Sequence, residues 1–402
     1  MSHPIHDDLR DSLLQLLGEP LEHARERERT ECDRLLGSDG RQLILFGAGN
    51  LGRQALAALR QSGSEPLAFM DNNQALWHRQ VDGLTVYGPA EAARKFDGTK
   101  IGVLTTIWCG EATDRMADRV NPVRALGFRH LALFGHLAWK HPDRFLPHYS
   151  LDLPSRALAE AKRIVQAFDL FQERRSREIF LAHVRWRLHL DYDILPTLAE
   201  DTIYFNERLV RPVADEFLID GGAFTGDTID SFLESFGRQG FRRILSFEPD
   251  PKNYVTLTDH VRSLPPSIGS RITPLAYALG EQSSTVHVES SGGPSSRVGV
   301  GDHEVPCRMI DEFTEGGAAP TFIKLDIEGY EPKALAGATN TLRTARPVVS
   351  ACVYHVQNHL WEIALQLEQS TPDYQYYLVP HLADGWDLVL YAIPSNRLAA
   401  AN

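Results

Sequence analysis

The order of apolar and polar positions divides the chain into stretches of different period. Residues 8–36 carry leucines at helical spacing in DLRDSLLQLL and alternating charges in LEHARERERTECDRLL. This predicts helix throughout, packed by its leucines and solvated elsewhere. From Arg41 the pattern changes to a short apolar run, QLILF, then GAGNLG, the amphipathic QALAALRQSG and PLAFMDNN. The reading is strand, glycine turn, helix, strand, with Gly63 closing the helix as a C-cap glycine does. IGVLTTIW supplies another buried strand, and RALGFRHLALFG a helix running into a strand. Strands alternating with helices predict a parallel sheet covered on both faces.

Residues 141–212 lose that alternation. SRALAEAKRIVQAFDLFQERRSREIFLAHVRWRLHL predicts two helices, and Arg174, Arg175, Arg177, Arg185 and Arg187 read as the solvated face of the second. A second alternation starts at Glu216: the strand EFLID, the turn GGAFTGD, the helix TIDSFLESFG, the strand RRILSFEPD and the helix PKNYVTLTDHVRSL. TPLAYALGE, TVHVES, FIKLDIEGYE, PVVSACVYH, YQYYLVPH and DLVLYAIP follow, the last pair predicting a hairpin-like edge. The expected organisation is α/β. It comprises a helical segment (1–40), a Rossmann-like nucleotide-binding domain (41–140), a helical connector (141–212) and a second Rossmann-like domain (213–402).

Composition narrows the function. Hydrophobic residues are 43% and charged residues 23% of 402, ordinary for a soluble globular protein. Lys and Arg number 41 against 53 Asp and Glu, a net charge of −12, which disfavours a nucleic-acid partner. No stretch of about 18 apolar residues occurs, so no membrane span is expected. The acidic start, MSHPIHDDLR, is unlike a signal peptide and implies a cytoplasmic location. Cys32, Cys109, Cys307 and Cys352 are scattered, which suits reduced thiols better than a zinc site or a disulfide framework.

Two glycine turns carry candidate chemistry. Gly47, Gly49 and Gly52 follow a strand and open a helix, where backbone N–H groups and the helix dipole favour a phosphate. Asp71 follows about 20 residues later at a strand end, positioned to accept from ribose hydroxyls. A nucleotide or nucleotide-sugar is the expected ligand, and a purely architectural domain the alternative. The second turn, Asp220-Gly221-Gly222-Ala223-Phe224-Thr225-Gly226-Asp227, also joins strand to helix, and Glu248 ends the next strand. Glu248 can take both ribose hydroxyls of a nucleoside. The DGGAFTG turn suits a nucleoside without pyrophosphate better than NAD, which points to S-adenosylmethionine. In FIKLDIEGYE, strand periodicity places Lys324, Asp326 and Glu328 on one face, turned to the ligand cleft. A buried Lys–Asp pair that only holds the fold is the rival reading. His355 ends PVVSACVYH at the same expected sheet edge.

Together these segments resemble the FkbM family of S-adenosylmethionine-dependent methyltransferases, in its longer, two-domain form. The residues that carry the resemblance are FLIDGGAFTGDTIDSF, ILSFEPDPKNY, LAYALGE, MIDEF and, most specifically, FIKLDIEGYEPKALAGA, with the tail VYHVQNHLWEI to DLVLYAI. The resemblance covers roughly residues 200–394 and more loosely the GAGNLG domain. It implies a class I methyltransferase fold and methyl transfer to a hydroxyl of a sugar, glycan or related secondary metabolite. It implies that Asp220, Gly222, Gly226 and Glu248 contact the cofactor. Ala276 and Tyr277 lie near adenine, and Asp326, Glu328 and His355 face the acceptor. Gly221, Ala223 and Asp227 complete the expected cofactor loop, and Lys324 joins the expected catalytic set. His355 is the first choice as general base, its ordinary pKa being near neutral, and Asp326 the second. A divalent cation on Asp326, Glu328 and His355 is the alternative means of activating the hydroxyl. The rival functions are a non-catalytic nucleotide-binding scaffold and an NAD-dependent sugar-modifying enzyme centred on GAGNLG.

Overall fold

A computed structural model describes residues 8–37, 42–108, 115–196, 198, 202–288, 301, 303–314 and 319–400. Cys109 and the first residues of the chain lie outside the described residues. Two compact units emerge. One comprises Met1–Ala161, Leu181–Pro196 and Leu382–Gly385, the other Lys162–Phe180, Thr197–His381 and Trp386–Asn402.

The first unit opens with two helices where one was expected, Asp8–Leu17 and Leu21–Leu36. Pro20 stands at the N-cap of the second, ending one helix and starting the next. The second helix buries Ala24, Glu28, Cys32 and Leu36, a stripe at spacing four. Strands β1 (Leu43–Phe46), β2 (Ala68–Met70), β3 (Gln80–Val81), β4 (Leu84–Tyr87), β5 (Gly102–Thr105) and β6 (His130–Leu133) form one sheet in the order β3-β4-β2-β1-β5-β6. All pairings are parallel except β3 with β4. Leu43 and Leu45 pack with Phe69 and Leu104 on one face. Ile44 and Phe46 pack with Met70 and Val103 on the other. Burial on both faces is why LILF shows no alternation. Gly63, at φ 83°, ends the helix Asn50–Gln61 as expected.

The stretch read as two helices contains three: Pro154–Ala159, Ala161–Leu170 and Arg174–His189. Arg174 pairs with Glu178 on the surface. Arg187 departs from the solvated-face reading, being buried and donating to His183 O at 3.3 Å.

The second unit holds β7 (Glu216–Gly221), β8 (Phe241–Phe247), β9 (Ile272–Leu275), β10 (Ala278–Leu279), β11 (Ser284–Val288), β12 (His303–Arg308), β13 (Phe322–Leu325), β14 (Val348–Cys352), β15 (Tyr374–Pro380) and β16 (Leu388–Pro394). Its main sheet runs β15-β16-β14-β13-β7-β8-β9, and β10, β12 and β11 form a small second sheet. In the main sheet β16 is antiparallel to both neighbours, and the other pairings are parallel. This is the Rossmann-like class I arrangement that the resemblance implies. The expected terminal hairpin forms, but β16 is inserted beside β14, so β15 alone is the edge.

One polar row crosses this apolar sheet. Ser246, Asp220, Lys324 and Ser350 are in register on four adjacent strands, and all are buried. Strand β13 stops at Leu325, short of Glu328, to which the alternating pattern extended. The chain then turns, with Glu328 at φ 54° and Gly329 at φ 101°. Lys324, Asp326 and Glu328 therefore do not share a strand face.

Candidate active site

Strand β7 has β8 on one side and β13 on the other, so the sheet's order reverses there. Ligands of such sheets sit at that point, beyond the carboxyl ends of the strands. A cleft of about 110 Å³ opens there. Its walls include Gly222, Phe224, Asp227, Phe247, Glu248, Asn253, Tyr277, Ala278 and Leu279 on one side, and Tyr204, Lys324, Asp326, Ile327, Glu328 and Tyr330 on the other.

The turn after β7 is shaped by its neighbours. Gly222 and Ala223 both donate N–H to Phe247 O at 3.0 Å. Gly222 sits at φ 76°, and a Cβ there would lie 1.8 Å from Asp326 O. Phe224 takes φ 45° and Gly226 φ 106°, the latter as N-cap of the helix Asp227–Glu234. Phe224 N–H reaches Glu248 Oε2 at 2.9 Å, and Asp250 N–H reaches Glu248 Oε1 at 2.9 Å. Burial raises the Glu248 carboxyl to about 7, against the two N–H groups that favour its ionised form. Each oxygen keeps acceptor capacity for a ligand hydroxyl.

Lys324 closes the floor. Its Nζ donates to Gly221 O at 3.0 Å and Gly222 O at 2.6 Å, and lies 3.3 Å from Asp220 Oδ1. Burial disfavours the ammonium, but Asp220 and Asp326 outweigh it and raise its pKa.

The opposite wall is acidic. Tyr204 donates its O–H to Asp326 Oδ2 at 2.6 Å. His355 Nε2 faces Asp326 Oδ1 at 3.3 Å and Glu328 Oε1 at 3.5 Å, while Nδ1 meets Glu331 Oε1 at 2.8 Å. His359 Nδ1 is 3.3 Å from Glu331 Oε2. Burial lowers the His355 imidazole, but Glu331, Asp326 and Glu328 together drive it well above its ordinary value. Burial likewise opposes ionisation of Asp326, and is outweighed by His355, Lys324 and the Tyr204 O–H, which hold that carboxyl well below its ordinary range.

Residues 220–382 match the methyltransferase FkbM domain family. The second unit therefore carries a methyltransferase FkbM domain. A hexuronic acid methyltransferase from Haloferax volcanii is 29% identical over 116 residues, a match that spans 26% of this chain and 45% of that protein's length. The crystal structure of methyltransferase FkbM from Methylobacillus flagellatus superposes with a TM-score of 0.75 at 22% identity, covering 97% of this chain and 99% of that one. The shared fold thus extends beyond the FkbM domain.

Within the FkbM domain, the structure brings Gly222, Asp227, Glu248, Tyr277, Lys324, Asp326 and Glu328 to one cleft. It places Asp220, Gly221, Ala223 and Gly226 behind that wall, in β7 and its turn. Ala276 departs from expectation: it is exposed and outside the lining, while Ala278 and Leu279 form the wall. His355 lies beyond the end of β14 and is 1% exposed, behind Asp326 and Glu328 and outside the lining. An imidazole so enclosed by carboxylates is not the free neutral base expected from its residue type. Two partners went unread in the sequence. Glu331 lies on the same turn as Asp326, but strand alternation drew attention to Glu328. Tyr204 comes from the predicted connector, and no local pattern ties it to Asp326.

The glycine turn of the first unit is also closed by its own residues. Gly47 is at φ 113°, and a Cβ on Gly52 would meet Gly47 O at 1.9 Å. Gly49 alone has open space around its Cβ position. Asp71 accepts from Ala48 N–H and Asn73 N–H, both at 2.7 Å.

Gly222→Ala in the FkbM domain is expected to cost about 3 kcal/mol or more, since both the φ and the Asp326 carbonyl exclude a methyl group. Thermal melts with and without S-adenosylhomocysteine would measure this.

Proposed function

We propose that this protein is an S-adenosylmethionine-dependent O-methyltransferase acting on a hydroxyl of a sugar, glycan or related secondary metabolite. The observation that carries the reading is the pairing, across one cleft, of Glu248 at the end of β8 with Asp326 just past the end of β13. The cofactor residues fit: Glu248 presents two buried oxygens to a ribose diol, and Phe247, Tyr277, Ala278 and Leu279 offer an apolar wall for adenine. S-adenosylmethionine, when bound, supplies an electrophilic methyl group. The sugar acceptor is supported by the name of the Haloferax volcanii relative, a hexuronic acid methyltransferase.

Asp326 is the group proposed to meet the acceptor. Tyr204 donates to Oδ2 and His355 Nε2 stands 3.3 Å from Oδ1, and together they hold the carboxylate at the cleft wall. As the oxygen gains a methyl group it becomes positively charged, and the acidic wall stabilises that charge. The hydroxyl proton becomes far more acidic at that stage, so a carboxylate of low pKa suffices to take it. Holding the hydroxyl in line is worth several kcal/mol by itself. His355 and Tyr204 are positioning residues for Asp326.

The test is turnover of methyl-labelled S-adenosylmethionine against a panel of hexuronate and neutral hexose glycosides. The expected result is label on a sugar oxygen and release of S-adenosylhomocysteine. Absence of S-adenosylhomocysteine binding to the full chain would overturn the reading.

A further inference from the structure

We propose that the acceptor is a sugar without a carboxylate, read by Glu328, whose side chain accepts a hydrogen bond from a hydroxyl next to the one that is methylated. The inference rests on the methyltransferase reading, and it departs from the hexuronic acid named for the Haloferax volcanii relative. Its first support is the charge of the cleft. Asp227, Glu248, Asp326 and Glu328 line it, and Lys324 is the one cation among its described lining residues. That ammonium is engaged by Asp220 and by the carbonyls of Gly221 and Gly222. Among the described lining residues, no basic side chain is left to pair with an acceptor carboxylate.

The groups around the lining keep the same sign. Asp326, Glu328 and Glu331 surround His355, and His359 faces Glu331. Three carboxylates outnumber these two imidazoles even when both are protonated. Lys333 lies over the ring of Tyr330 at 4.2 Å and Arg308 over that of Tyr277 at 5.4 Å, both outside the lining. S-adenosylmethionine adds one net positive charge against the four lining carboxylates. An anionic sugar would therefore meet repulsion at the acidic wall, and like charges brought together in this way exclude wrong partners.

The turn after β13 places Glu328 for its part. Glu328 takes φ 54°, a region that few residues other than glycine adopt, and Gly329 follows at φ 101°. Buried Glu331 pins the turn, its Oε1 accepting from Ile327 N–H at 2.9 Å and from Gly329 N–H at 3.4 Å. Backbone strain of this kind persists where the surroundings over-determine it, and it clusters at ligand clamps. Glu328 Oε1 stands 3.5 Å from His355 Nε2, while Oε2 is buried and makes no hydrogen bond among the described residues. Buried polar atoms nearly always find a partner. An ionised carboxylate only accepts, so the missing partner is a donor: a sugar hydroxyl meets that need and a uronate oxygen does not. Asp326, proposed to meet the reacting hydroxyl, shares the same imidazole, so the adjacent hydroxyl falls to Glu328.

The full-length protein should be assayed with methyl-labelled S-adenosylmethionine against matched glycosides that differ only in carrying a hydroxymethyl group or a carboxylate, in the gluco, galacto and manno series. In the series that turns over best, kcat/KM for the hydroxymethyl sugar is expected to exceed that for its uronate by about tenfold or more. Glu328→Gln, which keeps the size and shape of the side chain, should lower kcat/KM for the neutral sugar by about tenfold and narrow its ratio to the uronate. Unchanged S-adenosylhomocysteine affinity shows that the variant is folded, and the wild-type comparison stands without it. Equal or faster turnover of the uronate overturns the proposal, as does a folded Glu328→Gln variant with the wild-type ratio. So does the absence of turnover of every sugar by a protein that binds S-adenosylhomocysteine, an outcome that leaves the methyltransferase reading standing. Failure to bind S-adenosylhomocysteine overturns both.

Discussion

Glu248→Gln is expected to make the protein more stable and to weaken its binding of S-adenosylhomocysteine. Burial raises the Glu248 carboxyl from 4.5 to about 7. A carboxyl raised on folding opposes folding once it ionises. The penalty is absent below pH about 4.5, grows up to about 7 and is constant above. Its full size is about 3 kcal/mol. Glutamine removes the charge but keeps only one acceptor oxygen, so one of the N–H bonds from Phe224 and Asp250 is lost, at about 1 kcal/mol. The net gain is about 2 kcal/mol at pH 8, shrinking to nothing or reversing near pH 5. Denaturant unfolding of both proteins at the two pH values measures this. Over the same substitution, two charge-assisted bonds to the ribose diol disappear, and S-adenosylhomocysteine should bind about 100-fold more weakly at pH 8. Wild-type affinity should itself fall as the pH drops below about 7, as the carboxylate takes up its proton. A variant that loses stability at pH 8 and binds cofactor normally would show that Glu248 is structural.

Lys324→Met is expected to destabilise the FkbM domain by about 3–5 kcal/mol, because it leaves Asp220 as an unpaired buried charge. It also frees the carbonyls of Gly221 and Gly222, which shape the glycine turn. Adding Asp220→Asn should recover much of the loss, since the double variant buries no net charge. The double-variant cycle, read by chemical denaturation, separates two roles. A single variant with an unchanged unfolding midpoint and depressed turnover would mean that Lys324 acts on the acceptor. Strong coupling between the two positions would mean that the pair braces the glycine turn after β7.

The fold was largely readable because parallel sheets write themselves into sequence as apolar runs. LILF, FLID and VVSAC are buried on both faces and stand out without any partner being known. The turns stood out too, since Gly222 and Gly226 occupy positive φ that few other residues tolerate. Glu248 was placed by the same logic, being the residue at which β8 ends over the first turn. Reading failed where a strand was taken to continue. FIKLDIEGYE alternates beyond Leu325, but backbone pairing with β7 and β14 does not, and alternation cannot report where pairing stops. The face assigned to Glu328 was therefore wrong, and Glu331 was missed.

By itself the sequence determined the two α/β alternations, the glycine turns and the family of the second one, because these depend on local backbone demands and on burial along single strands. The tertiary structure alone decided that Lys324 braces Asp220, that His355 stands behind Asp326, and that Tyr204 and Glu331 complete the acidic wall. Those relations join residues far apart in the chain. They arise from strand order and from the turn after β13, which no local pattern of polar and apolar positions encodes.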